Sequence, residues 1–277
     1  MRKKLRYSIF DPTGNITALV ESEVRAEEQP AVAAALMRRR PEVEQVGFVR
    51  YAADGEAQLS LRMAGGEFCG NASMSAAALY LLRRGLETPA AVTLRVSGAH
   101  RAVETRLDKT AENCFAAGVR MPPAAEIAER ELRFGDMRGK LPLVRMEGIA
   151  HLMLTPESIF FTLLQDGKAA GRAARAWADE LSAEALGLMF LETSALQTRL
   201  TPLVCVPGSG TLFWEHSCAS GSAAAGAYLA SLTGTREELA LREPGGSLRV
   251  ESDPRSGETW LFGQTRLLES CEEEFAL

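Results

Sequence analysis

Residues 63–82 read MAGGEFCGNASMSAAALYLL, and this segment sets the architecture because its pattern returns 149 positions later. The second copy, residues 213–230, reads FWEHSCASGSAAAGAYLA. Each copy places one cysteine, Cys69 or Cys218, between an apolar, strand-like segment and a run of Ala, Gly and Ser. Internal similarity at such a long spacing predicts two structurally related halves.

Other residues repeat around the two cysteines. Aligning the cysteines also aligns Ser73 with Ser222, and Leu-Arg-Val recurs at 94–96 and at 248–250, which we interpret as matching strands. If the halves pack about a pseudo-twofold axis, the two thiols face each other. Two opposed acid/base groups around one carbon atom are what a racemase or epimerase needs.

The amino-acid composition indicates a globular protein and argues against nucleic-acid and membrane binding. The 277 residues suffice for two domains, with 46% hydrophobic and 24% charged residues, as in globular proteins. A net charge of −5 without a basic block argues against a nucleic-acid partner. Because no apolar run approaches the ~18 residues of a membrane span and no signal-peptide core is present, we expect a cytoplasmic protein without membrane contact.

The five cysteines do not suggest a structural framework. Their number is odd, and they form neither a CxxC motif nor a His-rich metal-ligand pattern. We therefore expect free thiols and no metal site. No lysine lies in a recognisable pyridoxal-phosphate context and no Gly-rich phosphate loop is evident, so we expect no cofactor. We assign Cys114, Cys205 and Cys271 to packing, as small buried hydrophobes.

Periodicity and turn residues predict an α+β protein of two similar domains. The strands outnumber the helices, and we divide the chain at Pro122-Pro123 into domains 1–122 and 123–277. The last strand, about 262–277, is a candidate to return to the first domain. The predicted helices cover residues 29–40, 70 or 71 to 82, 167–187 and 219–232.

The helix starts give the cysteines their chemistry. The first turn of a helix carries unpaired N–H groups and the positive end of the dipole, so a cysteine there should have a pKa below ~8.5. The same N–H groups bind anions, and we expect those of Gly70, Asn71, Ala219 and Ser220 to hold a substrate carboxylate. One thiolate would remove the α-proton while the opposed thiol protonates the other face.

Several motifs resemble one family. EFCGN and SCASGSAA are similar to the two cysteine motifs of diaminopimelate epimerase and its relatives, the cofactor-independent two-cysteine amino-acid racemases. Thr13-Gly14-Asn15 resembles the segment whose asparagine contacts substrate in that family, and Glu44-Gln45 resembles its acid-Gln segment. The resemblance runs along the whole chain. It implies two pseudo-symmetric domains, each a β-barrel-like sheet around a central small-residue helix, with Cys69 and Cys218 catalytic and Asn15 on the substrate.

Departures from that family concern the substrate. Ile149 stands where the epimerase has an asparagine, and its Glu-Arg pair before the second cysteine has no clean counterpart. Diaminopimelate should therefore be a poor substrate. The MAGGEFCGNA and VEQVGF segments resemble the histidine racemases of opine-metallophore biosynthesis, which implies a free amino acid, with histidine as our first choice. Glu44 is then a candidate to bind the substrate's side chain or α-amino group.

Alternatives stay open. The protein could be diaminopimelate epimerase proper, or an isomerase of the phenazine-biosynthesis type that uses Glu215, because Glu215 in EHSCASGSAA resembles the catalytic segment of those relatives. A catalytically inactive binding protein is a third class. We interpret His151 as a hydrogen-bonded core histidine and leave the role of His216 open. The expected partner is a small amino acid, and a homodimer is the candidate assembly.

Overall fold

The computed structural model describes residues 2–51 and 56–276. The chain forms two compact units, Met1–Arg120 with Phe262–Leu277, and Met121–Leu261. One long strand, Glu258–Ala276, belongs partly to each unit.

The first unit is a closed barrel of eight strands. Strands β1 to β7 pair in chain order, and the long strand, β16, pairs with both β7 and β1 to complete the ring. The strands of this unit are β1 (Arg2–Pro12), β2 (Thr17–Val20), β3 (Gln45–Tyr51), β4 (Leu59–Met63), β5 (Ala90–Val96), β6 (Val103–Ala111), β7 (Cys114–Met121) and β16 (Glu258–Ala276).

Two helices belong to this barrel. Helix α1 (Gln29–Arg39) packs its buried apolar residues against β3, after a short 3-10 turn at Ala26–Glu28. Helix α2 (Gly70–Arg84) contacts five of the barrel strands and is buried over most of its length. Its Ala, Gly and Ser residues allow the surrounding backbone to come close, which is why a small-residue helix can occupy the centre of a barrel.

The second unit repeats this connectivity. Its sheet has the order β16-β15-β14-β12-β11-β10-β9-β8, with β13 paired beside β12. Its strands are β8 (Glu126–Phe134), β9 (Met137–Met146), β10 (Ile149–Leu154), β11 (Leu186–Thr193), β12 (Thr198–Val206), β13 (Thr211–Trp214), β14 (Glu237–Glu243) and β15 (Gly246–Asp253). Helix α3 (Gly167–Glu180) follows a 3-10 helix, Ile159–Gln165, and packs into an apolar cluster on one face of the sheet. Helix α4 (Ala219–Thr233) lies on the strands as α2 does, after a 3-10 turn at Pro207–Ser209.

The parallel and antiparallel pairings match between the units. In the first unit, β1–β2 is antiparallel, β2–β3 parallel, β3–β4 antiparallel and β4–β5 parallel, with a helix before each parallel partner. In the second unit, β9–β10, β10–β11, β11–β12 and β12–β14 follow the same order. Thus β5, the first strand after α2, corresponds to β14, the first strand after α4. The predicted α+β fold, with two similar barrel-like halves around small-residue helices, is confirmed.

Three local predictions from the sequence are wrong. The helix predicted over 167–187 ends at Glu180, and Leu186–Thr193 is the buried strand β11. The strand pattern of the sequence, which predicts strands at LPLVRMEG, IAHLMLT, LTPLVCV, TLFWEH and SLRVES in this half, misses β8 and β14, because their many Glu, Arg and Leu residues favour helix. Leu-Arg-Val at 248–250 lies on β15, which corresponds to β6, so it is not the counterpart of 94–96 on β5.

Within the described residues, no helix is long and apolar enough to cross a membrane.

Candidate active site

Each predicted catalytic cysteine immediately precedes one of the two small-residue helices. Cys69 precedes α2 with extended backbone angles, φ −134° and ψ 112°, and Cys218 precedes α4 with φ −116° and ψ 97°. Both helices end at a glycine in the left-handed conformation, Gly85 or Gly234. The two thiols therefore occupy equivalent positions in their own units, as the sequence repeat predicts.

Cys69 belongs to a hydrogen-bond network that includes Gln45 and Thr17. Its Sγ accepts the Ala72 backbone N–H at 3.4 Å and donates to Oε1 of Gln45 at 3.2 Å. Gln45 donates through Nε2 to Oγ1 of Thr17 at 2.7 Å, and Thr17 donates to the Asn15 carbonyl at 2.9 Å. This chain of contacts connects the thiol to the loop that carries Asn15.

The loop before Cys69 is fixed by the β5–β6 connection. Ser97 accepts the Met63 N–H at 2.9 Å and donates to the Glu67 carbonyl at 2.9 Å. Gly98 has φ +73°, and a Cβ there would lie 2.2 Å from the Phe68 backbone nitrogen. A side chain at Gly98 would push away the segment that leads into Cys69, so glycine is required by both backbone angle and space.

Cys218 has different neighbours. It is 4% exposed, and its backbone N–H donates to Oε2 of Glu243 at 2.7 Å. The hydroxyl of Ser222 donates to the other oxygen of Glu243 in a very short hydrogen bond, and Sγ of Cys218 lies 3.6 Å from Oγ of Ser220. A carboxyl group from β14 thus holds the first turn of α4.

Electrostatics at Cys218 also differs from the sequence expectation. Burial raises the pKa of the Cys218 thiol well above its usual range, the carboxyls of Glu215 and Glu243 raise it further, and the Gly221 amide acts in the opposite direction. The prediction that a helix start lowers the pKa is therefore wrong for Cys218, because desolvation and two nearby acids outweigh the dipole. Burial also raises the pKa of Glu243, to about 8.

The structure locates the predicted anion-binding residues at the two helix starts. Gly70, Asn71 and Ala219 are buried in the first turns of their helices, and Ser220 is half-buried beside Cys218. Glu215 is half-buried between β13 and α4 and interacts electrostatically with Cys218.

The two candidates from the first loop and strand are also located. Asn15 is 6% exposed, and its carbonyl belongs to the network that reaches Cys69. Glu44 is half-buried just before β3, where its backbone N–H donates to the Ile16 carbonyl at 2.9 Å. The neighbour of Glu44, Gln45, is the residue whose side chain binds Cys69.

Sequence reasoning missed two side chains at the cysteines, Gln45 and Glu243. The only signal for Gln45 is its place in the Glu44-Gln45 pair. Glu243 gives no signal of its own, because it ends a strand that the sequence pattern does not predict.

The histidines have different environments. His151 is fully buried on β10, and burial lowers its pKa to about 3. Neither of its ring nitrogens has a hydrogen-bond partner among the described residues, so the prediction of a hydrogen-bonded core histidine is right about the core and wrong about the hydrogen bond. His216 is exposed, and its carbonyl accepts the Gly245 N–H at 2.7 Å.

The chain matches the family model described as histidine racemase CntK N-terminal domain, over residues 4–260. The chain belongs to this family. Two curated relatives agree with the assignment. A histidine racemase of Staphylococcus aureus is 28% identical over 254 residues, covering 91% of this chain and 89% of the relative. A histidine racemase of Fusobacterium nucleatum is 30% identical over 229 residues, covering 79% of each chain.

A solved structure shares the fold. It is described as a predicted epimerase from Pseudomonas aeruginosa and is 18% identical, with a TM-score of 0.69 over 97% of this chain and 99% of that chain. The family and the two curated relatives are racemases. The chain is accordingly an isomerase of the racemase and epimerase class.

Proposed function

We propose that this protein racemises a free amino acid, with histidine as the substrate, through a two-base mechanism that uses Cys69 and Cys218 and no pyridoxal phosphate. The observation that carries the proposal is that the two equivalent helices of a histidine racemase family member both begin at a cysteine. Amide groups at both helix starts can stabilise negative charge on a bound carboxylate and in the carbanion-like transition state.

The proposed reaction moves two protons. The thiolate of one cysteine removes the α-proton from one face of Cα, and the thiol of the other delivers its proton to the opposite face. The site holds one thiolate and one thiol before and after each turnover, with the roles exchanged, so protons and charge balance. The mechanism requires the two sulfur atoms to reach opposite faces of the substrate.

The remaining substrate contacts are also part of the proposal. We assign the α-carboxylate to the amides of Gly70, Asn71, Ala219 and Ser220. Asn15 is the candidate for a further polar contact near Cys69, because the Gln45–Thr17 network already ties its loop to the thiol. Glu44 and Glu215 are the acidic candidates for the α-amino group or a cationic side chain.

The substrate test compares L-histidine, L-histidinamide and LL-diaminopimelate in D₂O under identical conditions. We expect α-deuterium uptake and D-histidine from the first, and little turnover of the other two. Equal turnover of the amide would refute the carboxylate assignment. Fast turnover of diaminopimelate with none of histidine would identify an epimerase of the ordinary type.

The same experiment addresses the alternatives. It is extended to all twenty amino acids; if none takes up α-deuterium, the racemase proposal fails, and an isomerase that uses Glu215 or a binding protein replaces it. A cytoplasmic location and a homodimer also remain proposals. Cell fractionation tests the first, and light scattering of the purified protein tests the second.

A further inference from the structure

Glu243 is a buried acid in direct contact with a cysteine helix, and the two-base mechanism above gives it no role. It ends β14 with 3% of its surface exposed. One carboxyl oxygen accepts the Cys218 N–H at 2.7 Å, and the other accepts the Ser222 hydroxyl. Burying a carboxyl is costly unless it is neutralised or well bonded, so its presence needs an explanation.

The first unit shows that the fold does not require an acid here. Strand β5, AAVTLRV, and strand β14, EELALRE, have the same length and the same place after the cysteine helix. Their last residues are Val96, which is 5% exposed, and Glu243. In the first unit Ser73, the counterpart of Ser222, donates to the Cys69 carbonyl at 2.7 Å instead. An apolar residue therefore serves the barrel at this position.

Among the described residues, the two side chains that most raise the pKa of Cys218 by their charge are both acidic. Glu243 faces it from β14, and Glu215 faces it from the segment before α4, which also carries His216. Glu215 acts on Glu243 as well, and the contacts from α4 to Glu243 are the Cys218 amide and the Ser222 hydroxyl. Glu243 and Cys218 are both buried and in contact, so they titrate as a coupled pair, because ionisation of one disfavours ionisation of the other.

We propose that Glu243 is a positioning residue for Cys218. It fixes the first turn of α4, and electrostatic repulsion limits Glu243 and Cys218 to one negative charge between them. Cys218 therefore rests as a thiol and starts as the proton donor. The inference rests on the proposed function for the donor role, whereas the coupling can be measured without substrate. Burial raises the pKa of Glu243 to about 8 and that of Cys218 well above its usual range, so the carboxyl ionises first as the pH rises, and its charge then opposes ionisation of the thiol.

The test is Glu243→Gln, which keeps a hydrogen-bond acceptor for the Cys218 amide and removes the charge. The protein is labelled with ¹³Cβ-cysteine, the Cys218 signal is assigned with Cys218→Ser, and its chemical shift is followed as the pH is raised. We expect the midpoint of the Cys218 titration to fall by about one pH unit, the lower end of the effect of one close charge. Glu238→Gln, an exposed position on the same strand, should leave the midpoint unchanged.

Glu243→Val provides a second variant if the glutamine variant does not fold, because it copies Val96 of the first unit. It should also lower the Cys218 midpoint. A folded variant at position 243 with an unchanged or higher midpoint would overturn the proposal, since a purely structural acid would not affect the titration. Racemisation that survives Cys218→Ser would refute the two-thiol mechanism and leave the measured coupling intact, so the two failures are distinguishable.

Discussion

Cys69 and Cys218 occupy the same place in two units of matching connectivity, yet their hydrogen-bond partners and exposure differ. Cys69 is half-buried and makes hydrogen bonds with the Gln45 side chain and the Ala72 amide. Cys218 is buried among two carboxyl groups, and its amide is used to bind one of them. The repeated fold therefore supplies two helix starts, and the residues around each start determine how readily its sulfur ionises.

Removing either thiol should have the largest effect on activity. We predict that Cys69→Ser and Cys218→Ser each lower racemisation by ~10³-fold or more, because a hydroxyl is a far weaker acid/base than a thiol at neutral pH. Chiral chromatography of both enantiomers over time measures the loss. Cys114→Ser is the control and should retain activity. Two-way racemisation that persists in either catalytic variant would show that the thiols are not equivalent partners in the chemistry.

The next largest expected effect is a difference between the alkylation rates of the two cysteines. We predict that iodoacetamide at pH 8 modifies Cys69 at least about tenfold faster than Cys218. The thiolate is the form that reacts, and Cys218 is buried and has a raised pKa, so little of it is ionised. Mass spectrometry of each cysteine peptide gives the rates. Buried Cys205, whose pKa is also raised by burial, should react slowly like Cys218. Faster modification of Cys218 would reverse the assignment of the resting proton.

A substitution at Gln45 tests its hydrogen bond to Cys69. We predict that Gln45→Leu lowers kcat/KM by about tenfold, by analogy with metal sites, where losing a residue that orients a ligand side chain costs roughly 10–100-fold. Thr17→Val removes the partner of Gln45 but leaves the Gln45–Cys69 contact, and should cost less. Steady-state kinetics on L-histidine provide the measurement. A larger loss in Thr17→Val would show that the barrel, and not the thiol, depends on this network.

The smallest predicted effect is a pH trend in stability. The pKa of Glu243 is raised from 4.5 to about 8 in the folded state, so the folded chain keeps a proton that the unfolded chain loses. Wild-type stability should then fall as pH rises from about 4.5 to about 8 relative to Glu243→Gln, which does not titrate. The difference in Tm between the two proteins should grow across that window. A constant difference would mean that Glu243 is ionised in the folded protein.

The local parts of this site follow from the sequence. A cysteine before a run of small residues predicts the helix start, and the repeat predicts a matching second unit. The partners of the thiols do not follow, because Gln45 lies 24 residues before Cys69 and Glu243 lies 25 residues after Cys218. Those contacts depend on the parallel pairings of β2 with β3 and of β12 with β14. Strand β14 is also difficult to predict, because its sequence, EELALRE, has a high helix propensity.

Strand β16 has a consequence for the order in which the chain folds. Its residues 265–276 pair with β1, residues 2–12, so the first barrel is closed by a segment made more than 250 positions after the strand it joins. At ~5–20 residues per second of synthesis, β1 waits on the order of tens of seconds for this partner. Residues 121–261 form a contiguous unit and emerge completely before then. The amino-terminal barrel, although begun first, is thus the last to be finished, and a prematurely terminated chain carries an open barrel with exposed strand edges.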